Sequence, residues 1–146
     1  MRFRFWSDLL KYARTKTDLH ANRSPGIYQW IGGSIGRHGF QLNYAVRGDE
    51  SQVELYIDLG SNSDDLNLNM FNELKTHQSE IQAAFGGELE WQDLPESRAC
   101  RIRKIIPGGY RSPEAEWPHI HEMLVDNMIR LDKALRPFVQ RLPARD

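Results

Sequence analysis

"FQLNYAVRGDESQVELYIDL", residues 40–59, alternates apolar and polar side chains on both sides of a polar turn. Successive side chains of an extended chain point to opposite faces, so this alternation marks strands with one buried face. Phe40, Leu42, Tyr44 and Val46 then face inward with Val53, Leu55, Ile57 and Leu59. Gln41, Asn43, Arg47, Glu54, Tyr56 and Asp58 face outward. Arg47-Gly48-Asp49-Glu50-Ser51 supplies the turn, making residues 40–47 and 52–59 a β-hairpin.

Upstream lies "GGSIGRHG", residues 32–39, with four glycines in eight positions. A phosphate-binding glycine loop runs from a strand into a helix, whose free N–H groups meet the anion. Here the glycines run into a strand, without the Lys-Ser/Thr of a P-loop, so they read as a hairpin turn after a strand at Ile27–Ile31. Arg37 and His38 stand at its tip.

Elsewhere the period changes. Phe5, Leu9, Tyr12 and Ala13 make a helical stripe within residues 3–16, followed by a polar loop from Thr17 to Pro25. Leu66, Met70, Leu74, Ile81 and Phe85 predict one helix of about five turns, started by Asp64 or Asp65 and stopped by Gly86-Gly87. Residues 88–92 and 98–106 form a second hairpin around Asp93–Ser97; Cys100, Ile102, Lys104 and Ile106 share one side, Arg101, Arg103 and Ile105 the exposed side. Ser112-Pro113-Glu114 is a helix start, and Trp117, Ile120, Leu124, Met128, Leu131, Leu135, Phe138 and Leu142 continue it as a long stripe, with Pro137 expected to kink or end it. The order is α-βββ-α-ββ-α, an α+β fold with a mainly antiparallel sheet and helices covering one face.

At 146 residues, 40% apolar and 27% charged, the chain suits a single domain spanning 1–146 with a real core. No apolar run reaches the roughly 18 residues of a membrane span and the start lacks a signal-peptide stretch, so a cytoplasmic protein without a membrane partner is expected. Cys100 is the only cysteine and reads as a core thiol on a strand. The formal charge of −1 hides segregation: residues 2–47 hold eight basic side chains against Asp8 and Asp18, whereas residues 49–96 hold twelve acids against Lys75. Residues 98–111 hold five basic side chains and no acid. Such segregation gives surface patches that steer charged partners.

Catalytic motifs are missing. A metal-dependent nuclease strand needs an acid followed by Glu-x-Lys, but Glu54-Leu55-Tyr56 has tyrosine at the lysine position. His119 and His121 point roughly 200° apart on a helix and cannot chelate one ion, so they read as helix-surface histidines, and no metal or other cofactor is expected. His20, His38 and His77 lack sequence-local triad partners.

Arg4-Phe5-Trp6, Phe40-Gln41-Leu42, Val53–Ile57, Phe71-Asn72-Glu73-Leu74, Ile81, Phe85-Gly86, Leu89-Glu90-Trp91, Arg98–Ile102 and Trp117 with the final helix carry a resemblance over nearly the whole chain. The chain resembles the prokaryotic family called domain of unknown function 4268. That resemblance implies a domain that stands alone or follows nuclease-like domains, and hence an association with DNA metabolism or defence; it supplies no catalytic residues. The leading reading is a non-catalytic, self-associating interaction module, with a homodimer or a nuclease-domain protein as partner. The alternative is a nucleic-acid-binding domain that uses Arg37, His38, Arg47, Tyr56, Arg101 and Arg103, flanked by the basic first helix. A second alternative is an enzyme of unrecognised type.

Overall fold

The alternation of residues 40–59 forms as a hairpin: β2 (Phe40–Val46) pairs antiparallel with β3 (Glu50–Ile57), Leu42 opposite Leu55 and Tyr44 opposite Val53. Two more strands extend it, β1 (Trp30–Arg37) along β2 and β5 (Cys100–Pro107) along β3, and β4 (Glu90–Asp93) lies outside β5. The computed structural model, which describes residues 1–94 and 97–143, thus has a five-stranded antiparallel sheet of order β1-β2-β3-β5-β4. Pro95 and Glu96, in the expected turn between β4 and β5, lie outside the described residues.

The helices are α1 (Arg2–Arg14), α2 (Asp64–Lys75), α3 (Gln78–Phe85) and α4 (Trp117–Gln140), the last entered through a 3-10 turn at Glu114–Glu116. At 1.5 Å per residue the 24 residues of α4 span about 36 Å, enough to cross the sheet, and α4 meets β1, β2, β3 and β5. Its buried stripe, Trp117, Ile120, Leu124, Met128, Leu131 and Leu135, covers the inward residues of the central hairpin. α1 packs on α4, with the Phe5 and Trp117 rings 5.2 Å apart, and α2 brings Phe71 to 6.1 Å from Trp91. The α+β fold is as expected, and the helices all lie on one face. Among the described residues no helix is long and apolar enough to cross a membrane.

Four local readings change. β1 does not stop at Ile31 but runs through Gly32 and Gly33 to Arg37, because both glycines are packing positions: a Cβ on Gly33 would stand 2.9 Å from the Leu19 carbonyl. The expected single helix is two, since the Thr76 hydroxyl donates to the Glu73 carbonyl at 2.6 Å and His77 leaves helical geometry before α3 restarts. Leu74 and Ile81, two turns apart, keep both helices facing the core. Ser112 accepts the Gly109 amide at 3.0 Å instead of capping the helix. α4 also passes through Pro137 to Gln140.

What secures the end of α4 is a clamp. The last carbonyls of a helix have no partner within it. Arg37 donates to the Val139 and Leu142 carbonyls at 3.0 and 2.8 Å and to Pro143, while Arg136 donates to the Ile35 carbonyl at 2.8 Å. The β1–β2 hairpin and the end of α4 are therefore tied together by two guanidinium groups.

Two histidines are buried in this frame. His121, 5% exposed, stacks edge-on to Phe5 at 4.4 Å, so it is not the surface residue its spacing suggests. Burial lowers its pKa to about 4, although Asp8 pulls the other way. His20 donates from Nε2 to the Leu42 carbonyl at 2.9 Å and lies against Tyr44; burial lowers it too.

Arg37→Ala should lower stability by about 1–2 kcal/mol, because charge-assisted bonds to partly exposed carbonyls are lost. Thermal unfolding checks this, and hydrogen exchange should locate the loosening in the last turn of α4. The two histidines predict a pH effect whose sign is set by their lowered pKa values. At His121 the unfolded chain takes up a proton below about 6.5 while the folded chain resists until about 4, so stability is fully present above 6.5 and falls through this window, and His20 adds to the loss in the same direction. For His121 the loss is on the order of 3 kcal/mol. Urea unfolding at several pH values should show this slope, and His121→Asn should flatten it.

Candidate functional site

The sheet face turned away from the helices is built in rows set by strand register. Trp30, Ala45, Gln52 and Ile105 form one row, Gly32, Asn43, Glu54, Arg103 and Glu90 the next, and Ser34, Gln41, Tyr56, Arg101 and Gln92 the third. Gly32, Ser34 and Ala45 are small, so the surface drops between Trp30 and Tyr56. The resulting hollow of about 500 Å³ is lined by Trp30, His38, Gln41, Asn43, Arg47, Gln52, Glu54, Tyr56, Asp58 and Arg101. A second hollow of about 770 Å³ adjoins it, sharing Trp30 and Gln41 and walled by Arg23, Tyr28 and the loop before β1. Trp30 is 56% exposed and Tyr28 55%, an unusual display for large rings.

The floor is a chain of polar groups. Arg103 donates to the Gln52 carbonyl oxygen at 2.8 Å, Gln52 donates to Glu54, and Asn43 donates to the other Glu54 oxygen at 3.1 Å. Glu54 is only 6% exposed and, among the described residues, forms no ion pair. Gly32 makes this arrangement fit, since a Cβ there would collide with the Asn43 side-chain oxygen.

Around the floor the charges are not balanced. Arg98 holds Asp58 at 2.8 Å and Arg103 holds Glu90 at 2.6 Å, so two of the acids on this face are neutralised. Burial would push the Asp58 carboxyl up, but Arg98 and the Gly60 amide outweigh it and hold it below its ordinary value. Arg101 spends Nε on Gln92 at 2.6 Å; burial, then the neighbouring Arg103 charge, lowers its pKa, with Arg47 adding to the effect and Glu54 opposing it. Among the described residues the side chains of Arg23, Arg47 and His38 have no partner. The rim is cationic although the chain is not.

His38, Arg47, Tyr56 and Arg101 are brought together in the hollow, and Arg103 does not line it but stands opposite Glu54 in register and donates to Gln52. Arg37 is not with them. Gly36, at φ 98°, makes a bulge between Ser34 and Arg37, and Arg37 comes to sit opposite Phe40 on the helix side. Its guanidinium is committed to the end of α4. Nor does α1 flank this face: it lies in the helix layer, where Arg2 and Arg14 hold carbonyls of the 21–27 loop and Arg4 pairs with Glu114. Trp30, Tyr28, Arg23, Asn43 and Gln52 were not among the expected site residues. Trp30 had a signal, because alternation carried on through the glycines puts Trp30, Gly32 and Ser34 on the outward side.

The other candidate groups lie apart. Cys100 is buried, and burial followed by the Asp93 charge pushes its thiol up to about 11, far from a nucleophile's range. Among the described residues no group of three or more His, Cys, Asp or Glu is placed to hold a metal ion.

No curated protein and no solved structure matches the chain. A family model, described as domain of unknown function (DUF4268), matches residues 1–139. The chain therefore belongs to the DUF4268 family, as its core aromatics and turns had suggested.

Proposed function

We propose that this domain is a non-catalytic recognition module, acting in the cytoplasm, that takes single-stranded nucleic acid along its open sheet face. The observation that carries the reading is the groove itself: the exposed rings of Trp30 and Tyr28 line it together with the cations Arg23, Arg47 and Arg101. Bases stack on aromatic faces whatever their identity, and phosphates meet unpaired cations, which is the physics of sequence-tolerant strand binding. Pairing of Asp58 with Arg98 and of Glu90 with Arg103 supports it further, because those carboxylates no longer repel a phosphate chain. A strand held this way suits a partner with a nuclease-like domain, and so a role in DNA metabolism or defence.

A second reading is self-association. Ile27, 76% exposed, adjoins Tyr28 and Trp30 at the start of β1, an edge strand with one side unpaired. A homodimer formed there would cover these rings.

Fluorescence anisotropy of a labelled 12-nucleotide strand, with light scattering on the same sample, separates the two. Strand binding should weaken roughly tenfold or more between about 50 and 200 mM salt. Arg47→Ala with Arg101→Ala should reduce the salt slope by roughly 1 to 1.5, and Trp30→Ala should cost about 1–3 kcal/mol of binding. Arg37→Ala should leave affinity unchanged. Absence of binding at low salt together with a dimer in the scattering would overturn strand recognition in favour of self-association.

A further inference from the structure

We infer that the hollow between Trp30 and Tyr56 selects guanine, with Glu54 reading the donor edge of the base; the inference rests on the strand-binding reading above. The centre of the hollow is a carboxylate, which is an odd floor for a surface that meets phosphates. Glu54 is 6% exposed, accepts one amide N–H on each oxygen, and among the described residues has no ion-pair partner. A carboxylate offers about four acceptor positions, so each oxygen has a lone pair to spare. A buried carboxylate held by two neutral amides and no direct ion pair is incompletely satisfied, and a ligand that supplies N–H donors relieves that cost.

A flat donor group suits the site, because the row holding Glu54 lies between the rows of Trp30 and Tyr56, about 13 Å apart along the strands, and both rings line the hollow. Arg47 and Arg101 line the same hollow as Glu54 and Asp58, and Arg98 already neutralises Asp58, so the cations left over favour a ligand that also carries negative charge. A nucleobase on a phosphate chain meets both demands. Guanine alone among the common bases presents two adjacent N–H donors, N1–H and the 2-amino group, which match a carboxylate bidentately. Uracil and thymine flank their single donor with carbonyl oxygens that repel Glu54, and adenine and cytosine set an acceptor beside theirs. The side-chain bonds from Asn43 and Gln52 fix the carboxylate in place, and Arg103 in turn holds Gln52.

The test uses the unmodified chain and thymidine strands with one central guanine, inosine, adenine or cytosine. Guanine should bind roughly tenfold tighter than adenine or cytosine, as expected of a bidentate contact, and inosine, which lacks the 2-amino group, should fall between. Glu54→Gln should bring guanine and adenine within about twofold while keeping the salt dependence. Equal affinity for all four strands, with salt-sensitive binding intact, overturns the inference and leaves strand binding standing. Calorimetry with GMP and AMP distinguishes a free nucleotide from a strand. GMP-selective binding without strand binding supports guanine recognition and overturns the strand reading; binding of neither overturns both.

Discussion

Burial of every second residue of β2 and β3 under α4 is the constraint from which the open face follows. Each inward Leu, Ile, Val or Phe contributes about 1.5–3 kcal/mol on burial, so a one-residue slip of register would expose the whole set. Phe40, Leu42, Tyr44, Val46, Val53, Leu55 and Ile57 are all buried there. Their neighbours have no choice but to face away, which is how Asn43, Glu54, Tyr56 and Arg101 come to share one surface. Because the helices all lie on the inner side, no element of the described chain covers that surface.

The same surface shows why a count of charges misleads. Residues 49–96 are strongly acidic, yet the carboxylates of Asp58 and Glu90 are matched by Arg98 and Arg103 from the basic β5 region. Segregation along the chain is undone by antiparallel pairing, which sets an acidic strand beside a basic one. What is left over is local: Arg23, Arg47 and part of Arg101 on the rim, and Glu54 at the floor. A recognition function rests on that remainder, not on net charge.

The hairpin, its inward set, the stripe of α4 and the outward placement of Tyr56, Arg101 and Arg103 were legible because periodicity reports burial directly. Trp30 was hidden because Gly32 and Gly33 interrupt the apolar alternation, although the strand continues through them. Arg37 was misleading for a subtler reason: the bulge at Gly36 shifts the register, and no local residue pattern announces which side a residue beyond it will face. The break between α2 and α3 leaves the stripe in phase, so periodicity passed over it. The Arg98–Asp58 pair joins residues 40 apart and needs the fold before it can be seen.

The most direct measurement is a backbone and indole amide NMR titration of the protein with a short single strand at low salt. If the open face is the recognition surface, shifts should concentrate at the Trp30 indole and at the outward positions of β1, β2, β3 and β5, with the buried face of α4 silent. Shifts confined to α1 and α4, or none at saturating strand, would contradict the account.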